Sequence, residues 1–145
     1  MTQNTIAKIS FDFDNTLDIK RVQEYAKALI KRDFEVWICT SRQSSDKAPN
    51  KEWNDDLFQV AKHIGIKEEH IIFTNLQLKS EYIKVYDFLW HLDDDTIELD
   101  FINEETTCVG IERGRKNNWL LECDTVIMNF IDKELTKNNK NEEKT

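Results

Sequence analysis

Short apolar runs that alternate with helix-periodic stretches constrain this chain more than any other feature of its sequence. Five runs read as strands: residues 6–12, "FEVWICT" at 34–40, "HIIFT" at 70–74, "FLWHL" at 88–92 and "TCVGI" at 107–111. "FEVWICT" is nearly continuous in apolar residues. A strand of that kind is covered on both faces, which calls for helices above and below a parallel sheet. The intervening stretches supply them. Val22, Tyr25, Ala26, Leu29 and Ile30 form one apolar stripe, and Trp53, Leu57, Val60, Ala61 and Ile64 form a second before Gly65, a helix stop. "KSEYIKVY" and "TIELDFIN" are shorter helical candidates, and Val126, Ile127, Phe130, Ile131 and Leu135 mark a terminal helix. The fold class that follows is α/β, a three-layer, Rossmann-like, doubly wound parallel sheet of about five strands.

At 145 residues the chain is long enough for one domain with a real core. That domain is expected over residues 1–135, with a polar, disordered tail over 136–145, where "TKNNKNEEKT" has nothing to bury. A formal net charge of −8 repels phosphate backbones and anionic membranes at long range, although a local basic patch still binds a single phosphate. The three cysteines, Cys39, Cys108 and Cys123, have no metal-finger spacing and read as reduced thiols. No run approaches a membrane span, and the first residues lack the layout of a signal peptide, so a cytoplasmic protein is expected. Lys8 and Ser10 fit poorly, because they share the phase of Asp12 in a strand that belongs at the sheet centre. Lys8 is expected to snorkel from the strand's starting edge.

Ligands of open parallel sheets bind beyond the carboxyl ends of the strands, so the residues just after each run are informative. They are Asp12, Asp14 and Thr16; Thr40, Ser41 and Arg42; Lys79, at the start of the helix before the fourth strand; and Asp93, Asp94 and Asp95. Taken singly, each is a common turn, cap or solvated group. Taken together they are the parts of a magnesium-assisted phosphoryl-transfer site. Mg²⁺ takes oxygen ligands, and carboxylates from two strand ends can hold it beside a phosphate. Asp12 is placed to attack phosphorus, and Asp14, two residues on along an extended chain, to move protons. A hydroxyl from Thr40 and an ammonium from Lys79 suit the equatorial oxygens, where transition-state charge spreads.

"DFDNT", "VWICTSR", Lys79 and "WHLDDD" resemble, in order, the four motifs of the haloacid dehalogenase superfamily. The resemblance spans residues 6 to about 95. It implies the strand order 5-4-1-2-3, Asp12 as nucleophile, and Asp14 as general acid/base with its carbonyl also on Mg²⁺. It further implies that Asp93 and Asp94 complete the metal site, and that Thr16, Thr40, Ser41, Arg42 and Lys79 bind phosphate or substrate. An acid two residues after the nucleophile is associated there with phosphatases and mutases. Lys84 competes with Lys79, but "KVYDFL" leaves too little chain after Lys84 for a helical turn and a strand. The gap after Leu17 is too short for the cap domain many members carry, so the chain resembles a capless type, with a site open to bulky substrates or covered by a neighbouring subunit.

The expected activity is hydrolysis of a phosphomonoester, with a nucleotide or a nucleic-acid terminal phosphate as leading substrate. Phosphoprotein or small-metabolite phosphatase, or a non-catalytic phosphate-binding module, are the alternatives. A receiver-type signalling domain uses similar groups, but its acceptor Asp ends the third strand, and here that strand ends in Asn75. His91 shares strand phase with Asp93 and can line the site, but reads first as a half-buried strand histidine; His63 and His70 read as structural or exposed; and Trp53 reads as a core aromatic at a helix start, ahead of stacking on a substrate ring. Arg113, Arg115 and Lys116 follow the fifth strand and read as a solvated loop that can also steer a second phosphate.

Overall fold

The computed structural model describes residues 5–143. Its sheet has five strands, β1 (Lys8–Phe11), β2 (Glu35–Thr40), β3 (Ile71–Phe73), β4 (Phe88–Asp93) and β5 (Val109–Glu112). All neighbours are parallel, in the order β3-β2-β1-β4-β5, which is the expected order read from the other edge. The helices are α1 (Lys20–Lys31), α2 (Asp55–Ile64), α3 (Lys79–Ile83), α4 (Thr96–Glu105) and α5 (Trp119–Glu143). They cover both faces, as buried parallel strands require.

Strand alternation sorts the core into two layers. Val36 and Ile38 point to one face with Ile9, Phe11, Trp90 and Leu92, where α1, α2 and α5 add Leu29, Leu57 and Ile127. Trp37 and Cys39 point to the other, where α3 and α4 add Ile83 and Ile102. Local chemistry ends the elements where the layers require it. Gly65 stops α2 at φ 101°, a left-handed conformation glycine adopts without a side-chain clash. Asp95 starts α4 by accepting the N–H groups of Ile97 and Glu98.

Four expectations shift. The fifth strand is Val109–Glu112, two residues later at its start than "TCVGI", because Cys108 belongs to the α3/α4 layer before the strand begins. Residue 53 lies outside α2, so Trp53 is 45% exposed rather than a core aromatic. The helix expected over "KSEYIKVY" is the five-residue α3, which yields to a turn at Lys84. The terminal helix continues to Glu143, through most of the segment expected as a tail; each added residue gains a backbone hydrogen bond without fresh nucleation, and Lys and Glu tolerate that geometry well. Residues 144 and 145 of that tail lie outside the described residues. Among the described residues no extra domain interrupts the core, and no helix is long and apolar enough to cross a membrane.

Candidate functional site

The strand order changes direction between β1 and β4, where a doubly wound sheet opens a crevice at its carboxyl edge. Asp12 sits there, with its N–H on the carbonyl of Leu92 at 2.8 Å, one step beyond the last residue of β1. A tight turn over Phe13–Leu17 then reverses the chain, with Asn15 in the left-handed region at φ 61°. Phe13, Thr16 and Leu17 go into the core, whereas Asp14 and Asn15 stand at the surface. Thr16 returns a hydroxyl to Asp12 Oδ2 at 3.3 Å.

Lys79 closes the crevice from the first turn of α3. Its Nζ donates to Asp12 Oδ1 at 2.8 Å and to Asp93 Oδ2 at 2.6 Å, and the three side chains are only 3%, 6% and 0% exposed. The Lys79 N–H donates to Glu98 Oε2 at 2.9 Å, tying α3 to α4. Lys84, by contrast, lies on the surface and pairs with Glu81. Asp93 is bound on every side. Its Oδ2 also meets His91 Nε2 at 2.8 Å, and its Oδ1 accepts the Asp95 N–H at 3.0 Å. His91 Nδ1 in turn meets Ser10 Oγ at 2.9 Å, across the β1–β4 register that sets these two residues side by side. Ser10 is therefore not a misfit in a central strand: it is the inner end of a buried polar chain running Ser10, His91, Asp93, Lys79, Asp12. His91 is fully buried, not half-buried.

This cluster has more buried negative charge than its own cation can balance. Burial pushes the Asp12 carboxyl well above the usual carboxylate range, with Lys79 opposing and the Asp93 charge reinforcing the rise. Burial acts on Asp93 in the same sense, but His91 and Lys79 together hold its carboxyl well below that range. Burial disfavours the Lys79 ammonium, yet Asp12 and Asp93 outweigh it and keep the lysine charged. The His91 imidazole is pushed down by burial, against Asp93, and stays neutral. One ammonium thus faces two buried carboxylates. Asp12, Asp93 and the half-buried Asp94 also each bring an oxygen within 4.8 Å of the others. Hard oxygen donors with uncompensated negative charge fit a cation such as Mg²⁺.

Asp14 is not part of that cluster. Its carboxylate turns to Arg42, which donates from Nε to Oδ2 at 3.0 Å and from Nη2 to Oδ1 at 2.8 Å. Arg42 also holds Asp56 through two bonds of 2.7 and 2.9 Å, and the carbonyl of Trp53 at 3.2 Å. All five of its N–H donors are in use, and its guanidinium stacks over Phe13 at 4.9 Å. Beside it, buried Thr40 accepts the Arg42 N–H at 3.2 Å, which leaves the Thr40 hydroxyl proton free to donate elsewhere. Ser41 is exposed, and its carbonyl takes the Leu76 N–H at 2.9 Å. That contact holds Asn75 and Leu76 in consecutive left-handed conformations, at φ 53° and 69°.

Ser10, Asp56 and Glu98 are the site residues that sequence reasoning missed, and His91 is one that it ranks as structural first. Two signals were available: Ser10, a polar residue in the wrong phase of a strand, and the strand phase that His91 shares with Asp93, which takes second place to a half-buried structural role. His70 is structural, stacked on Trp37 and beside Glu35, and His63 is exposed. No protein-family model matches the chain, and no curated protein matches it as a relative.

Proposed function

We propose that the chain is a Mg²⁺-dependent phosphomonoester hydrolase of the haloacid dehalogenase type, acting in the cytoplasm through an aspartyl-phosphate on Asp12. One observation carries this reading: Lys79 bridges Asp12 and Asp93, with Asp94 in reach, at the carboxyl ends of two central strands. Asp12, Asp93 and Asp94 would hold the metal, with the Asp14 carbonyl by resemblance. When bound, Mg²⁺ neutralises phosphate charge and the surplus of carboxylates.

The rest follows from the chain's own groups. Lys79 and the free proton of Thr40 bind non-bridging oxygens of the phosphoryl group, and Ser41 and Thr16 flank it. The Asp12 carboxylate attacks phosphorus as the bond to the leaving oxygen breaks, and Asp14 gives that oxygen its proton. To do so, Asp14 leaves a bond to Arg42, takes up the proton that a phosphomonoester monoanion brings and passes it to the leaving oxygen, while the freed Arg42 donor turns to the phosphate. Water then attacks the acyl phosphate, Asp14 takes its proton, and inorganic phosphate leaves. With no lid domain over the crevice among the described residues, a nucleotide or nucleic-acid terminal phosphate is the substrate of choice.

Hydrolysis of an aryl phosphate tests this. The native chain turns over with Mg²⁺ and stops with chelator, Asp12→Asn has no measurable activity, and Asp14→Asn loses about 10²–10⁴-fold in kcat. Metal-independent turnover, or an active Asp12→Asn, refutes the mechanism.

A further inference from the structure

We propose that a basic cleft between the first turns of α1 and α5 holds a second phosphate of the substrate, namely the phosphodiester adjoining the terminal phosphate of an oligonucleotide. This rests on the phosphatase reading above and specifies its substrate class. The cleft has a volume of about 230 Å³ and is lined by Ile19, Arg21, Arg113, Arg115, Asn117 and Trp119, among others. It adjoins the carboxylate cluster through Arg113. The Arg113 N–H donates to the carbonyl of Asp93 at 2.8 Å, and its Nε donates to the carbonyl of Asn15, between Asp14 and Thr16. One residue therefore touches both segments that carry the candidate catalytic acids.

Three observations point to an anion here. First, the cations are unspent. Among the described residues, Lys20, Arg21, Arg115 and Lys116 make no ion pair or side-chain hydrogen bond, and Arg113 uses only Nε, on a neutral carbonyl. The chain has 28 acidic side chains to 20 basic ones, and Arg42, Lys79 and Lys84 all found partners. Asp18 flanks the cleft in sequence, and Glu112 sets a carboxylate oxygen beside Gly114 in its lining, but neither pairs with its cations. Second, the first turn of α1 contains Lys20 and Arg21, no acid and no side-chain cap. Cations at a helix N-terminus oppose the helix dipole, and the N–H groups of Lys20 and Arg21 have no backbone partner, whereas those of Val22 and Gln23 meet the Ile19 carbonyl. A bound phosphate reverses that conflict, because charge, dipole and free N–H groups then act together. Third, the loop is built. Asn117 accepts the Gly114 N–H at 2.7 Å and donates to the Glu112 carbonyl, which leaves Arg115 and Lys116 outward. Buried Trp119, with the Arg21 guanidinium 5.8 Å from its ring centre, gives the cleft an apolar wall for a sugar.

Binding to the full-length chain carrying Asp12→Asn, with Mg²⁺ present, tests the site without turnover. The probes are phosphorylated tetranucleotides with the phosphate at either end, a nucleoside monophosphate, a nucleoside bisphosphate and a phosphopeptide. A tetranucleotide is expected to bind at least about tenfold tighter than the monophosphate, with a salt dependence steeper by about 0.7 ion per added phosphate contact. Adding Arg21→Glu and Arg115→Glu, both at exposed positions, is expected to bring that preference below about threefold. Equal affinity for tetranucleotide and monophosphate, or an unchanged preference in the charge-reversed protein, overturns the proposal. A bisphosphate or a phosphopeptide that equals the tetranucleotide overturns the assignment to a polynucleotide. Failure of the phosphatase reading shows separately, as absent aryl phosphate hydrolysis by the native chain.

Discussion

Lys79→Met isolates the electrostatic problem at the centre of the site. The substitution keeps most of the side chain's length and apolar contacts but removes the ammonium that bridges two carboxylates, one 6% and one 0% exposed. Removing one partner of a buried ion pair costs about 3–5 kcal/mol, because a buried charge is left uncompensated. The upper half of that range applies here, since two carboxylates lose the same partner. Unfolding entropy near 2.1 cal/mol/K per residue gives about 0.3 kcal/mol/K for a chain of this length, so the metal-free variant is expected to melt about 13–16 °C below the native protein. Mg²⁺ at a hundred times its Kd returns about 2.7 kcal/mol, or about 9 °C. The variant's gain is expected to exceed the native gain at equal Mg²⁺, because no ammonium competes with the metal for the carboxylates. Calorimetric melts in chelator and across a Mg²⁺ titration read both quantities. A metal-free variant within about 3 °C of native, or a Mg²⁺ shift no larger than the native one, refutes the reasoning.

Asp12→Asn is expected to raise the melting temperature of the metal-free protein at pH 7.5. Burial lifts the Asp12 carboxyl above its ordinary range, so its ionised form costs stability once pH passes that range. The gap closes as pH falls toward about 4, where the native carboxyl is protonated, and a native protein that melts higher at pH 7.5 contradicts this. His91 has the opposite dependence. Its imidazole is held below the ordinary value, so the unfolded chain takes up a proton first as pH falls below about 6.5. The native fold is expected to lose about 1.4 kcal/mol per pH unit from this group, a slope that His91→Gln removes in urea unfolding at pH 7.5 and 5.5; equal slopes refute it. Leu76→Gly relieves a left-handed leucine whose side chain is 73% exposed, so stability is expected to rise by about 1 kcal/mol, and a loss in thermal melts refutes the strain.

The architecture was legible because buried parallel strands leave an unmistakable trace: "FEVWICT" reads as a strand in any context, and the α1 stripe of Val22, Ala26 and Leu29 has only one periodicity that fits. The carboxyl-edge residues were legible for the same reason, since an apolar run announces where it stops. Contacts made across the sheet were not. Ser10 and His91 are 81 residues apart, and only the β1–β4 register makes them neighbours. Nor was the direction of the Asp14 side chain legible, because spacing places it beside Asp12 while the left-handed turn at Asn15 and the reach of Arg42 swing it outward. The exposure of Trp53 follows from a helix that starts two residues later than its apolar pattern suggests.

The polar chain from Ser10 through His91 and Asp93 to Lys79 also limits how this sequence can drift. In most enzymes a catalytic group can be lost one residue at a time while the scaffold survives. Here each member satisfies a buried partner, so a single loss leaves a carboxylate, an imidazole or an ammonium stranded in the interior. If the chain has the proposed activity, a descendant that lost it would have to replace these residues nearly at once with apolar side chains, or keep them intact for folding alone. Retention of these residues in such a descendant would then record folding, whereas Asp14, out at the mouth and held only by Arg42, would be freer to change.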